Sequence, residues 1–131
     1  MIELVWDAAC AGTATAPSGA VLTVGDNVAW SPENLLALAA ASCLMRTFLR
    51  MASDERLRVL GYVAAARLEP GTDSAWTVRV RSCVVVPTDV PTSRVLDLCG
   101  RATAASPVAT MLGDRLRNVP EISTIDDRLE V

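Results

Sequence analysis

The chain has 131 residues, a mass of 13.9 kDa and a formal charge of −3, and hydrophobic residues make up 51% of it. We expect a single globular domain spanning residues 1–131, and the acidic balance argues against a general nucleic-acid binder. The absence of histidine and lysine excludes Ser–His–Asp catalysis, histidine-ligated zinc, lysine Schiff bases and the P-loop lysine.

The amino-terminal region predicts a β-hairpin. Apolar residues alternate with other residues over positions 2–7, which indicates a half-buried strand, and positions 20–24 predict the returning strand. The small-residue stretch between them, 11–18, predicts no more than a flexible loop.

A long helix is predicted next, over residues 32–52. Ser31 can cap its first turn, Pro32 suits the first helical position and Glu33 complements the helix dipole. The predicted core stripe of this helix consists of Leu38, Ala41, Met45, Phe48, Leu49 and Ala52.

The remaining pattern predicts a second hairpin, a second helix and a last strand. Strands are expected at 60–68 and 76–86 around a Pro-Gly turn, and a helix capped by Thr92 or Ser93 should reach residue 105. Pro107 kinks or restarts that helix, and a last strand is expected at 121–129 after Asn118-Val119-Pro120. The order β-β-α-β-β-α-β predicts an α+β fold with a mostly antiparallel sheet.

Four cysteines are present, and none forms a C-x-x-C pair, which excludes zinc ribbons and thioredoxin motifs. The sparse cysteines, the acidic amino terminus and an apolar run too short to span a bilayer lead us to expect a soluble, cytoplasmic protein with reduced thiols. We expect no cofactor, no metal, no nucleic acid and no membrane as partners. Packing roles are expected for Cys10, Cys83 and Cys99.

Cys43 differs from the other cysteines in its helical surroundings. At about 100° per residue, Arg46 and Arg50 share its helix face, and that face points away from the predicted core stripe. Nearby cations favour the thiolate, which is the reactive form of cysteine. Glu33 lies ten residues earlier, roughly 15 Å along the axis at 1.5 Å per residue, so cooperation between the two needs another chain element.

The segment Ser31-Pro32-Glu33-Asn34-Leu35-Leu36-Ala37, followed by Ala39-Ala40-Ala41-Ser42-Cys43, resembles the central helix of the OsmC/Ohr family. The resemblance implies an OsmC-like intertwined homodimer, with sheet wrapping a long central helix in each subunit. It also implies a thiol peroxidase that reduces organic hydroperoxides, with Cys43 as the peroxidatic thiolate and Glu33 holding an activating arginine at the dimer interface.

The chain departs from the family pattern at two places. Ser106-Pro107 stands where the family has a Cys-Pro motif with the resolving cysteine, and residues 1–45 contain no arginine to match the family's activating residue. Arg46 or Arg50 can replace that arginine electrostatically. Cys99 lies seven residues before Ser106, roughly 10 Å along a helix, so we expect it to be out of disulfide reach of Cys43.

Two functions remain open from the sequence. The first is a thiol-dependent peroxidase of one-Cys type, whose partners are a small hydroperoxide and an external thiol reductant. The second is a catalytically degenerate OsmC-like dimer that binds an apolar ligand or serves a structural role. The retained Glu33 and Cys43 favour activity, whereas Ser106 and the missing amino-terminal arginine favour its loss.

Overall fold

The structure is a computed structural model that describes residues 1–126. Two compact units divide the chain, one at Met1–Leu36 and the other from Ala37 onward. The single-domain expectation stays a prediction. The elements are β1 Glu3–Ala8, β2 Ala11–Thr15, β3 Val21–Gly25, α1 Pro32–Asp54, β4 Gly61–Pro70, β5 Trp76–Pro87, α2 Thr92–Ala105, α3 Pro107–Leu112 and β6 Leu116–Ile125, with a 3₁₀ turn at Gly113–Arg115.

The strands form two three-stranded sheets, ordered β1-β2-β3 and β4-β5-β6. All pairs are antiparallel except β5 with β6, which run parallel. The α+β class and the mostly antiparallel pairing predicted from the sequence are therefore confirmed.

The prediction of a loop at 11–18 was wrong, because residues 11–15 form β2, the central strand of the first sheet. Alanine, glycine and threonine give no apolar alternation, so the periodicity carries no strand signal there. The small residues have a structural reason at Gly12, where a Cβ atom would lie 2.7 Å from the Val5 carbonyl oxygen. Close approach of the neighbouring strand thus requires glycine at this position.

The last strand begins earlier than predicted, at Leu116, so Asn118, Val119 and Pro120 lie inside it. Pro120 pairs in register with Ser82 of β5. Because β6 is an edge strand, a proline without a backbone N–H is tolerated there. Residues 127–129 of the predicted strand lie outside the described part of the chain.

The core of the second unit consists of two apolar clusters between the helices and one face of β5. Alternate β5 residues face the helices, and Val78, Val80, Val84 and Val86 are at most 1% exposed. In the first cluster Phe48 and Ala52 of α1 pack with α2, and in the second Leu44 packs with Ala109 of α3. Removing a buried phenylalanine side chain typically costs about 3–5 kcal/mol, so Phe48 is a principal anchor of α1.

The core stripe of α1 was predicted in part wrongly. Ala41, Phe48 and Ala52 are buried, but Leu38 is 47% and Met45 37% exposed. The buried residues of α1 are instead Ala37, Ala40, Ala41, Cys43, Leu44, Phe48 and Ala52. The expectation that Cys43 points away from the core was therefore wrong. Small alanines occupy the face nearest the sheet because they let the helix approach closely, a preference that a hydrophobicity count does not register.

The start of α1 was predicted correctly, and the start of α2 was not. The Asn34 N–H donates to the Ser31 hydroxyl over 3.1 Å, so Ser31 caps α1 as expected. Pro91 precedes the first turn of α2 instead of Thr92 or Ser93, and no side-chain hydrogen bond caps that turn. Pro107 restarts the chain as α3.

α1 is long and apolar enough by composition to cross a bilayer, with a mean hydropathy of 1.5 over its best window. It packs against β5, α2 and α3 in the two apolar clusters. This packing is typical of the core helix of a soluble protein.

Candidate active site

Ser106 connects α2 to α3, and this junction faces Cys43 of α1. Its backbone is extended, with φ −79° and ψ 120°, because the following Pro107 disfavours helical geometry at this residue. Its side chain caps neither helix. The hydroxyl is therefore free to donate a hydrogen bond to the Cys43 Sγ, over 2.9 Å.

Cys43 is 5% exposed and Ser106 is fully buried. Burial raises the pKa of the Cys43 thiol, but hydrogen bonds from the Ser106 hydroxyl and the Val108 backbone N–H, together with the Arg46 guanidinium, outweigh it. The net pKa of Cys43 is lowered from its usual value near 9.0. These donors stabilise the thiolate, the nucleophilic form of cysteine.

The sequence analysis missed Val108 as a donor to the site. Pro107 occupies the first turn of α3, where backbone N–H groups have no partner within the helix. The Val108 N–H is one of these groups, and it is directed at the Cys43 sulfur. The Ser-Pro pair was the available signal, because proline in this position marks a helix start whose next N–H is free to bond elsewhere.

Of the two arginines that were predicted to share the Cys43 face, only Arg46 lowers the pKa of the Cys43 thiol. Arg46 acts on the Cys43 sulfur both by charge and by a side-chain hydrogen bond. Arg50, one turn further along, is exposed and does not contribute to the lowered pKa of Cys43. Of the two cations, Arg46 is the one that the structure places at the thiol.

Glu33 is exposed in the first turn of α1, within the amino-terminal unit. Its position fits the favourable interaction of a carboxylate with a helix amino terminus. The groups that lower the pKa of the Cys43 thiol are Ser106, Val108 and Arg46, and the role of Glu33 stays a prediction.

The other three cysteines have surroundings that differ from those of Cys43. Cys99 is buried in the apolar face of α2, and burial raises its pKa. Cys83 lies on the face of β5 that points away from the helices, and its sulfur is 3.6 Å from the Ser123 hydroxyl oxygen. Cys10 is exposed. Over residues 1–126, no cluster of three or more cysteine and acidic side chains could hold a metal ion.

Comparisons with known proteins agree with this architecture. A family model described as OsmC-like protein matches residues 25–117, more than half of the chain. No curated protein matches it.

Solved structures give the same result at the level of fold. An OsmC-like protein of unknown function from Vibrio cholerae is 18% identical with a TM-score of 0.74, covering 93% of this chain and 97% of its own. The organic hydroperoxide resistance protein OhrB of Bacillus subtilis is 17% identical with a TM-score of 0.67, covering 94% and 98%. An OsmC-like protein from Mycoplasma pneumoniae is 12% identical with a TM-score of 0.75, covering 95% and 96%. The fold, the site at the α2–α3 junction and the match to the family model together lead to one conclusion: this chain belongs to the OsmC-like protein family.

Proposed function

We propose that this protein is a thiol-dependent peroxidase that reduces organic hydroperoxides through Cys43. The observation that carries the proposal is the 2.9 Å hydrogen bond from the Ser106 hydroxyl to the Cys43 sulfur, in a site that lowers the pKa of that thiol. A buried thiol without such donors would have a raised pKa, as Cys99 has.

The reaction follows from the nucleophilicity of the thiolate. The Cys43 sulfur attacks the terminal oxygen of ROOH, an S–O bond forms, and the O–O bond breaks. The leaving alkoxide takes up a proton and departs as the alcohol ROH, while Cys43 becomes a sulfenic acid. The sulfur is oxidised by two electrons and the peroxide is reduced by two.

Arg46 and the two hydrogen-bond donors have different tasks in this step. Ser106 and Val108 hold the sulfur in one position and stabilise its charge. Arg46 is exposed at its outer end, so its guanidinium can also meet the negative charge that develops on the leaving oxygen.

The proposed substrate class follows from the apolar surroundings of the site. Ala40 and Leu44, which flank Cys43 along α1, belong to the second apolar cluster, as does Ala109 next to Val108. These three side chains are buried, but Ala39, one helical turn before Cys43 on the same face of α1, is exposed. An alkyl or aryl group can bury apolar area beside the site that hydrogen peroxide lacks, so we propose a preference for organic hydroperoxides.

We propose a one-Cys cycle, because Ser106 occupies the position beside Cys43 and cannot form a disulfide. A first external thiol attacks the sulfenic sulfur, releases water and leaves a mixed disulfide. A second thiol then breaks this bond, giving the external disulfide and regenerating Cys43. The sum is ROOH + 2 R′SH → ROH + H₂O + R′SSR′.

We further propose that the working form is a cytoplasmic homodimer. The family is soluble, and both units of the chain carry large exposed apolar side chains, among them Trp6 at 75% and Leu38 at 47% exposure. Exposed apolar surface of this extent is typical of protein–protein interfaces. We propose that Glu33 acts at that interface.

The alternative is a catalytically degenerate dimer that binds an apolar ligand. It is favoured by the serine at position 106 and by the 5% exposure of Cys43, which leaves little sulfur surface for a substrate. A peroxide oxygen is small, however, and can reach a sulfur that has little exposed surface. The polar and charged groups that lower the pKa of Cys43 would contribute nothing to the binding of an apolar ligand.

Peroxide consumption tests the proposal. Cumene hydroperoxide and hydrogen peroxide are supplied in turn to the wild type with a dithiol or a monothiol reductant. We expect consumption that is faster with the organic peroxide, is lost in Cys43→Ser, and is retained in the matched variant Cys83→Ser. No consumption under any of these conditions would favour the ligand-binding alternative.

A further inference from the structure

The face of the second sheet that points away from the helices carries a row of arginines. Arg67 of β4 lies directly opposite Arg79 of β5, and Arg79 pairs in register with Arg117 of β6. Since Val78 and Val80 face the helices, the alternation of β5 directs Arg79 and Arg81 to the outer face. Like charges placed directly opposite each other destabilise a sheet. The stability of the sheet therefore does not explain why arginines occupy these positions.

The charge on this outer face is only partly neutralised. Glu69 contacts Arg67 at 2.9 Å and Arg79 at 4.0 Å, and Glu121 contacts Arg81 at 3.1 Å. The outward positions of the three strands hold four arginines and two glutamates, an excess of two positive charges. This excess stands out on a chain whose formal charge is −3.

A recess of about 310 Å³ lies among these side chains. Ala65 and Ala66 line it together with Arg67, Arg79 and Arg81. Ala65 lies directly opposite Arg81 and shares the outer face with Arg67, so its methyl group forms an apolar floor between longer cationic side chains. A volume near 300 Å³ is at the small end of sites for small molecules.

We propose that this outer-face recess binds a soluble small molecule carrying a phosphate monoester. A phosphate monoester has a charge near −2 at neutral pH, and its oxygens accept paired bonds from guanidinium forks such as those of Arg67, Arg79 and Arg81. The apolar floor suits an attached carbon group. A recess, as opposed to a flat basic surface, and an overall acidic chain favour a small solute over an anionic membrane.

The proposed site is separate from the thiol. Cys43 belongs to α1, which packs on the inner face of the sheet, whereas the recess opens on the outer face. The proposal therefore does not depend on the peroxidase proposal, and ligand binding at the recess should leave the reactivity of Cys43 intact.

Calorimetric titration of the full chain with phenyl phosphate tests this site, with inorganic phosphate and phosphatidylcholine vesicles containing phosphatidic acid as separate arms. We expect phenyl phosphate to bind most tightly, and Arg79→Gln to weaken it at least about tenfold through loss of charge-assisted hydrogen bonds. Arg79→Lys, which keeps the charge but not the fork, should recover only part of the affinity.

Arg56→Gln is the matched control, since it removes one exposed arginine elsewhere and should change the affinity less than about twofold. Circular dichroism of each variant shows that the fold is kept. The proposal is overturned if phenyl phosphate fails to saturate at millimolar concentration, if Arg56→Gln weakens it as much as Arg79→Gln, or if the vesicles bind more tightly than phenyl phosphate.

Discussion

The Ser106 hydroxyl donates a hydrogen bond to the Cys43 sulfur over 2.9 Å, joining two residues that are 63 positions apart in the chain. The contact is completely buried on the serine side. A buried hydroxyl that points at a buried thiol is worth most when the sulfur is charged, because hydrogen bonds to ionised groups are about twice as strong as neutral ones. The pair therefore favours the thiolate over the thiol.

Ser106→Ala should raise the pKa of Cys43, because it removes the hydrogen bond that most favours the thiolate. Alkylation of Cys43 by iodoacetamide at neutral pH should slow roughly tenfold, the loss expected for one charge-assisted bond. The midpoint of the rate-against-pH curve should move to higher pH. Peptide mass spectrometry after timed alkylation assigns the rate to this cysteine.

Ser123→Ala is the control for that measurement, because Ser123 also lies beside a cysteine, Cys83, at 3.6 Å. It should leave the Cys43 profile unchanged. An unchanged midpoint in Ser106→Ala would contradict the role assigned to the hydroxyl.

The pairing of Cys43 with Ser106 was partly accessible from the sequence. The helix boundaries at Ser31-Pro32 and at Pro107 follow from local capping and proline chemistry, and these place Cys43 in α1 and Ser106 at a break. The contact between the two was implied only by the family resemblance, because no periodicity reports which helix packs against which.

Two features of the thiol site, and the arginine row on the outer face of the second sheet, could not be predicted from the sequence for physical reasons. The Val108 donor is a backbone group, which has no residue-type signature. Arg46 and Arg50 share one helix face, so helix geometry alone could not say which guanidinium reaches the sulfur. The outer-face arginine row depends on strand register, and β6 was predicted to begin after Arg117.

Arg46→Gln should also raise the pKa of Cys43, since both the charge and the hydrogen bond of the guanidinium lower it. Arg50→Gln is the matched variant on the same helix face and should leave that pKa unchanged. In peroxide consumption, Arg46→Gln should lower the rate several-fold at neutral pH and regain part of it at pH 9, where more of the thiol ionises. Equal effects of the two substitutions would show that only the general positive charge matters.

Cys99 should take no part in turnover. It is buried in α2, and its raised pKa keeps it in the unreactive thiol form near neutral pH. Cys99→Ala should therefore consume peroxide at the wild-type rate, and Cys99 should be alkylated far more slowly than Cys43. A two-dalton mass loss in the wild type that maps to a Cys43–Cys99 bridge would establish Cys99 as a resolving residue and refute the one-Cys cycle.

Ser106→Cys should convert the protein to a two-Cys enzyme. The Ser106 oxygen is already 2.9 Å from the Cys43 sulfur, so a sulfur in its place needs only a small shift to form a bond of about 2.05 Å. One equivalent of cumene hydroperoxide should then produce an intramolecular disulfide, seen as a two-dalton loss in intact mass. The wild type should instead gain one oxygen and, with excess peroxide, a second.

The same variant should resist over-oxidation, because the disulfide forms before a second peroxide can attack the sulfenic acid. Turnover with a dithiol should persist after exposure to excess peroxide, whereas the wild type should lose activity. Since Ser106 is fully buried, the larger sulfur should lower the melting temperature by a few degrees. Ser106→Ala, which cannot form the bond, separates the effect of the new sulfur from that of the lost hydroxyl. If Ser106→Cys shows the wild-type gain of oxygen and no two-dalton loss, the two side chains do not meet during the catalytic cycle as they do in this structure.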